Sequence, residues 1–353
     1  MTEYLDLARS LSVTQLINAT AFELLPRREV LAYKPLTLNT LLTFKCNLSC
    51  PICSIAQMHL TNPSYKMPSE MAFESFRIII DRFGKYLITV LLSGGEPLLN
   101  KEVFRMARFA SSKRLLTQLI TNGLLVGKYV PEILEHMKSI NVSLNAVDAE
   151  EYRLMHNAPP GLFESVIENI ARLVEMREKL RKRAKIAISY ICTKDNFRRI
   201  PEFIALAESL GVDEANLRSL ISLGLPGFEE SLCLYRDDDE VADVLNSITA
   251  PKRKMKVWLP KLYERATSER DCRIPFNFLT VDGDGNVFPC CRIPPFGGCS
   301  SIFSSEDVWN SKSFRDLRKS LIDKSLPLPD ACLRCGNRFL KRRIAEVLMK
   351  LRT

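Results

Sequence analysis

Six apolar runs alternating with amphipathic helical stretches set the strongest limit on how this chain can fold. The runs fall at 36–44, 87–93, 115–121, 140–145, 185–193 and 215–220. Between them, helical periodicity occupies 69–83, 101–110, 162–180 and 201–210, and Gly211 follows the last of these as a C-terminal stop signal. Strands joined through helices pair in parallel. Six βα units of this kind predict an α/β architecture: a parallel sheet, curled or open, with helices on its outer face.

The strand faces add a second expectation. A packed barrel interior carries apolar residues on both faces of each strand. Here one face is repeatedly polar: Asn39 and Thr43, then Asn141, Ser143 and Asn145, then Ser189 and Thr193, then Asn216 and Arg218. Pointing inward, these residues make a polar lumen open to a ligand; pointing outward, they are ordinary solvated strand ends.

Outside the repeats the pattern changes. Residues 1–36 read as a helical lead-in and 37–225 as the βα unit. Residues 226–271 read as a linker with one or two short helices, including the acidic run 237–240. From Cys272 to residue 353 lies a smaller α+β segment. In it, 276–281 and 286–289 flank Asp282-Gly283-Asp284-Gly285, a strong hairpin signal. A helix around 313–322 and a basic amphipathic C-terminal helix complete it.

Composition narrows the function. No apolar run is long enough to span a bilayer, and the first residues lack the basic and apolar regions of a secretory signal, so a cytoplasmic location is expected. Eleven cysteines in such a chain argue for metal or redox chemistry over a disulfide framework. Three histidines (His59, His136 and His156) leave little material for Cys/His zinc sites or histidine acid–base catalysis. The net charge of +9 resides partly in the runs 177–185 and 341–343. No aromatic residues interleave with them as a stacking surface for nucleic acid requires, so solvated helix faces and ends explain them better.

Cysteine spacing carries the chemistry. Cys46, Cys50 and Cys53 bunch directly after the first strand. Three thiolates can hold three corners of a cubane iron–sulfur cluster and leave the fourth iron open to a ligand; a structural zinc site with a fourth ligand from elsewhere is the competing reading. A second set, Cys272, Cys290, Cys332 and Cys335, ends in a C-x2-C knuckle that suits either zinc or a cluster. Cys291 adjoins Cys290 and competes with it as a ligand. Cys192 reads as buried packing, and Cys233 and Cys299 carry no assigned role.

Cys46-x3-Cys50-x2-Cys53 followed by Ser93-Gly94-Gly95-Glu96-Pro97-Leu98 resembles the radical S-adenosylmethionine superfamily. Thr121-Asn122-Gly123 is similar to a further landmark of it, and Ser143-Leu144-Asn145-Ala146-Val147-Asp148 to its SPASM-containing branch. The resemblance covers roughly residues 37–220. It departs at Ile52, where the family commonly has an aromatic residue. It departs again at Met155-His156-Asn157, where related enzymes often carry Arg-Gly. The Cys-x12-Gly-x4-Cys … Cys-x2-Cys pattern from Cys272 resembles the twitch domain, a shortened SPASM domain with one auxiliary [4Fe–4S] cluster.

This resemblance implies a partial (βα)6 barrel, a [4Fe–4S] cluster on the triad and S-adenosylmethionine on its open iron. Reductive cleavage of that cofactor to a 5′-deoxyadenosyl radical, then hydrogen-atom abstraction from a substrate, are the implied steps. Ser93, Gly94, Gly95 and Glu96 would serve the methionine amine. Ser143 and Asn145 are candidates for its carboxylate or ribose, and Ser189 is a further cofactor-binding candidate. The second cysteine set would hold an auxiliary [4Fe–4S] cluster that handles a substrate electron, with flavodoxin or ferredoxin as electron donor. Arg218 is the candidate substrate-facing catalytic group, favouring a small polar molecule or a peptide. Alcohol or sugar dehydrogenation and epimerisation fit such a site. Peptide or RNA modification is the alternative, and a non-catalytic iron–sulfur or zinc protein is the remaining one.

Overall fold

The computed structural model describes residues 11–61, 64, 66–222, 227–249, 253–264, 270–290, 300–304, 306–333 and 335. The basic run at 341–343, the C-terminal helix expected beyond residue 335, Cys291 and Cys299 lie outside the described residues. No helix among the described residues is long and apolar enough to cross a membrane.

Helix α1 (Val13–Leu24) opens with a capping box: Gln15 N donates to Ser12 Oγ, and Ser12 N donates to Gln15 Oε1. Strand β1 (Thr37–Thr43) leads through the cysteine loop to α2 (Ser54–Thr61) and α3 (Phe73–Phe83). The repeat continues as β2 (Thr89–Gly94), α4 (Val103–Ser112), β3 (Leu116–Thr121), α5 (Val130–His136) and β4 (Ser139–Val142). Helices α6 (Ala149–His156) and α7 (Leu162–Lys179) then precede β5 (Lys185–Cys192), α8 (Ile200–Ser209) and β6 (Glu214–Ser219).

The expected linker does more than connect. It supplies α9 (Asp239–Thr249) and a short strand β7 (Lys256–Trp258), which pairs in parallel with β6. The C-terminal segment opens with the single turn α10 (Ile274–Asn277). The expected hairpin follows as β8 (Phe278–Val281) and β9 (Asn286–Phe288), with β10 (Ser300–Ser301) beside it. Helices α11 (Lys312–Ile322) and α12 (Asp330–Leu333) end the described chain. Strand β8 also pairs in parallel with β1, so the hairpin extends the main sheet. One sheet results, in the order β10-β9-β8-β1-β2-β3-β4-β5-β6-β7. Its centre is the partial (βα)6 barrel, lengthened at both edges.

The register shows why the strands alternate as they do. Asn39, Ser93, Gln118, Asn141, Ser189 and Asn216 fall on one face by their pairings. The opposite face carries Leu38, Val90, Leu119, Ile140, Ile188 and Ala215, all fully buried in the core with Val103, Met106 and Ala107 of α4. Cys192 sits on this apolar side and is fully buried, as packing requires. The polar residues partner one another: Asn216 Nδ2 donates to Asn141 Oδ1 at 3.0 Å, and Asn141 Nδ2 donates to Ser189 Oγ at 3.2 Å.

Candidate functional site

Parallel pairing brings the C-terminal ends of β1 to β4 level with one another: Thr43 pairs with Gly94, and Thr121 with Val142. The triad loop, the glycine turn, Thr121-Asn122-Gly123 and the 143–148 segment all emerge at this one edge. The triad loop leaves β1 and is stitched to the next motif by backbone: Gly95 N donates to the Thr43 carbonyl at 2.7 Å, and Glu96 N to the Lys45 carbonyl at 2.9 Å. Only glycine fits this seam. A Cβ on Gly94 would lie 2.3 Å from the Thr43 oxygen, and one on Gly95 would lie 2.2 Å from the Lys45 oxygen. Gly94 also has φ +123°, a conformation other residues rarely adopt.

Glu96 is fully buried. Its carboxylate accepts from Leu98 N at 3.0 Å, Thr121 Oγ1 at 2.9 Å and Asn122 N at 2.8 Å. Burial raises its pKa against these hydrogen bonds. The side chain thereby ties the turn to the end of β3, and its oxygens are spoken for. Ser93 Oγ is committed as well, 2.7 Å from Asn39 Oδ1 and 3.0 Å from the Thr40 carbonyl.

Around the cysteines, Cys53 N donates to the Cys50 carbonyl at 3.1 Å, and Gln57 N to that of Cys53 at 2.9 Å, which starts α2. Asn122 Nδ2 reaches Cys46 Sγ at 3.7 Å and Asn47 Oδ1 at 2.7 Å. Cys50 Sγ lies 3.1 Å from His156 Nδ1, while His156 Nε2 lies 2.9 Å from the Leu144 carbonyl. A carbonyl only accepts, so the ring proton belongs on Nε2, and the Cys50 thiol donates to Nδ1. Burial lowers the His156 pKa and keeps that ring neutral. Burial, with the nearby charges of Cys53 and Cys46, pushes the Cys50 thiol up to about 12. Burial likewise raises Cys46. Asn122 and His156 lie in the Thr121-Asn122-Gly123 and Met155-His156-Asn157 segments, and nothing in the sequence marks their contacts with the cysteines.

Of the other candidates, Asn145 is structural in part. It takes a left-handed conformation at φ +50°, its N donates to the Ser189 carbonyl at 2.9 Å, and its Oδ1 accepts from Ile191 N at 3.1 Å. Ser143 is half-buried beside it, with its N donating to the Thr121 carbonyl. Ser189 lies within the polar network on the lumen face, and Arg218 is exposed at the end of β6 on the same face. The segment after β6 reaches the cysteine loop, since a Cβ on Gly227 would lie 2.7 Å from the Pro51 oxygen.

The second cysteine set sits on the C-terminal segment. Cys272 precedes α10, Cys290 follows β9, and Cys332 and Cys335 flank the end of α12. The knuckle repeats the turn of the triad: Cys335 N donates to the Cys332 carbonyl at 3.2 Å. The hairpin turn is fixed by Asp282, whose Oδ1 accepts from Asp284 N at 3.0 Å and Asn286 N at 2.9 Å.

The donors fit an iron–sulfur group at the triad. Three cysteines whose thiolates would lie close enough to repel suit a compensating cationic cluster. Among the described residues, no three His, Cys, Asp or Glu side chains, the triad included, stand grouped as a single metal ion requires.

A partial parallel barrel with a cysteine triad and a glycine turn at one edge defines a class, that of cluster-dependent radical enzymes. The sequence model of the Radical SAM superfamily matches residues 40–207, and that of the SPASM iron–sulfur cluster-binding domain matches 272–336. The chain belongs to the radical SAM superfamily, with a SPASM domain at its C-terminal side, and its cofactors are [4Fe–4S] clusters and S-adenosylmethionine. The AdoMet-dependent heme synthase of Methanosarcina barkeri is 28% identical over 309 residues, 78% of this chain and 83% of that protein. The PqqA peptide cyclase of Xanthomonas campestris is 23% identical over 318 residues, 86% of this chain and 80% of that one. Among solved structures, Streptococcus suis SuiB bound to S-adenosylmethionine aligns with a TM-score of 0.68 at 16% identity, covering 89% of this chain and 73% of that chain. That likeness is one of fold.

Proposed function

We propose that this radical SAM enzyme abstracts a hydrogen atom from a polar substrate at the rim of the barrel and passes a substrate electron to an auxiliary cluster. The observation that carries the reading is the seam between the triad loop and the Gly94-Gly95-Glu96 turn, two backbone hydrogen bonds wide. When bound, the cluster and S-adenosylmethionine supply a 5′-deoxyadenosyl radical.

The chain's own residues do the rest. Cys46, Cys50 and Cys53 hold the radical cluster, and Cys272, Cys290, Cys332 and Cys335 hold the auxiliary one. The backbone of the glycine turn receives the methionine amine, while the Glu96 carboxylate acts indirectly by fixing that turn. Ser143 and Asn145 orient the carboxylate or ribose. The polar face of Asn141, Ser189 and Asn216 lines the substrate side, with Arg218 at its rim.

A peptide is the polar substrate we favour, supported by the likeness to PqqA peptide cyclase, while the likeness to the AdoMet-dependent heme synthase makes a tetrapyrrole its rival. SuiB, solved bound to its precursor peptide SuiA, shares the fold with a TM-score of 0.65. The lumen's side-chain amides are suited to peptide groups. The test is anaerobic reconstitution followed by turnover. About eight irons per chain, dithionite-dependent release of 5′-deoxyadenosine and its acceleration by a peptide substrate support the proposal. Bound zinc without cofactor cleavage overturns the enzyme reading. Acceleration by a sugar or tetrapyrrole instead overturns only the peptide reading.

A further inference from the structure

Helix α6 carries two side chains that the reaction just described leaves unused, and both stand next to the triad. His156 holds Cys50 through Nδ1, as above. One turn earlier, Tyr152 packs against it, with ring centroids 4.4 Å apart and the planes tilted by 36°. Tyr152 is 1% exposed, and among the described residues its hydroxyl has no hydrogen-bond partner. Leaving a buried hydroxyl unpaired is costly, so such an atom implies a partner that these residues do not provide. The hydroxyl is close enough to Cys50 and Cys46 for their negative charges to hold its proton more tightly, although burial contributes more.

The helix is pinned in place from both ends. Asp148 caps it by accepting from Glu151 N at 2.8 Å, and Asn157 closes it at φ +48°. Arg199 clamps Asp148 at 2.6 Å and Glu151 at 3.4 Å. The face bearing Tyr152 and His156 is therefore presented rigidly.

We infer that the Tyr152 hydroxyl donates a hydrogen bond to a sulfur of the cluster held by Cys46, Cys50 and Cys53, making Tyr152 a positioning residue that tunes that cluster. The inference rests on the proposed assignment of the cluster to this triad. A phenol stays protonated beside thiolates, so it serves as a donor without any change of charge. Hydrogen bonds to cluster sulfurs stabilise the reduced, more negative state and raise its potential.

The test is Tyr152→Phe, which keeps the ring contact and removes the hydroxyl. In the cluster-free protein the change should leave the melting temperature equal or higher, since an unpaired buried hydroxyl is lost. In the reconstituted protein, with Cys332 and Cys335 replaced by alanine to isolate the triad cluster, iron content should hold. The midpoint potential followed by electron paramagnetic resonance should then move to more negative values. An unchanged potential at full iron content overturns it, and so does a lowered melting temperature of the cluster-free variant, which would show a partner already in place. If the unmutated triad loads no cluster, the parent reading fails instead.

Discussion

The two cysteine sets make the same local turn and live in different surroundings. In both C-x2-C segments, the later cysteine's N–H donates to the carbonyl three residues back. Yet the triad stands outside the apolar core on a loop gripped by hydrogen bonds, whereas Cys272, Cys290 and Cys332 pack against that core. The C-terminal set is also bound into the frame of the molecule. Arg318, fully buried, donates to the Pro275 carbonyl at 2.8 Å, Asn310 Oδ1 at 2.9 Å and the Glu29 carbonyl at 3.1 Å. Its guanidinium lies 4.4 Å from the Trp309 ring. On the proposed assignment the difference is a division of labour: the reacting cluster would sit on a loop at the strand ends, while the cluster that only exchanges electrons would double as part of the packing.

The sharpest way to break that comparison is to remove each set in turn. Replacing Cys46, Cys50 and Cys53 by alanine should abolish 5′-deoxyadenosine release while the melting temperature of the cluster-free protein stays close to that of the parent. Replacing Cys332 and Cys335 should stop product formation yet leave substrate-uncoupled cofactor cleavage within a few-fold of normal. In the reconstituted protein that second variant should also lower the melting temperature, by at least about 2–4 °C, because metal binding there is coupled to folding. Chromatographic assay of 5′-deoxyadenosine and thermal melts decide both; equal loss of cleavage in the two variants would erase the contrast.

Much of this arrangement was legible in the chain. Strand β5, expected at 185–193, runs Lys185–Cys192, and α7, expected at 162–180, runs Leu162–Lys179, because long periodic stretches carry their own signal. What stayed hidden was non-local or short. Strand β7 has three residues, too few for any period to show. The parallel pairing of β8 with β1 joins residues such as Thr37 and Phe278, which share no local pattern. The same limit governed the site. Nothing around His156 announces that the Leu144 carbonyl and Cys50 meet it from either side. Glu96 looks like a ligand in sequence because only the folded end of β3 reveals what occupies its oxygens.

A smaller effect probes the seam beside the triad. Gly95→Ala places a methyl 2.2 Å from the Lys45 carbonyl oxygen, so the turn and the cysteine loop must separate. The strain should cost roughly 1–3 kcal/mol. Displacing a positioned cofactor by about 1 Å can slow turnover roughly a hundredfold. Steady-state cleavage rates and chemical denaturation measure the two parts. The equivalent hairpin glycine, Gly285, has a Cβ position 2.3 Å from Phe303, a side chain half exposed and free to swing away. Gly285→Ala should therefore retain cleavage and lose only stability, through its φ of +80°.

The subtlest difference is one of protons. In the cluster-free protein the Cys50 thiol is raised to about 12 by burial and its neighbours, so the folded state holds its proton more tightly than the unfolded chain does. The sign follows directly. This contribution to stability is fully present below the ordinary thiol value near 9 and is lost as pH climbs through about 12. Thermal melts of the cluster-free protein between pH 8 and 10 should consequently show a decline that Cys50→Ala reduces. Alkylation gives the same comparison kinetically: at pH 8, Cys50 should react roughly a thousandfold more slowly than a thiol of ordinary pKa, since only the thiolate attacks. Iron must displace that proton, so reconstitution of the triad should quicken with rising pH over this range. A triad that loads at a pH-independent rate would show that the protons had already left, and that the repulsion between its thiolates is relieved before iron arrives.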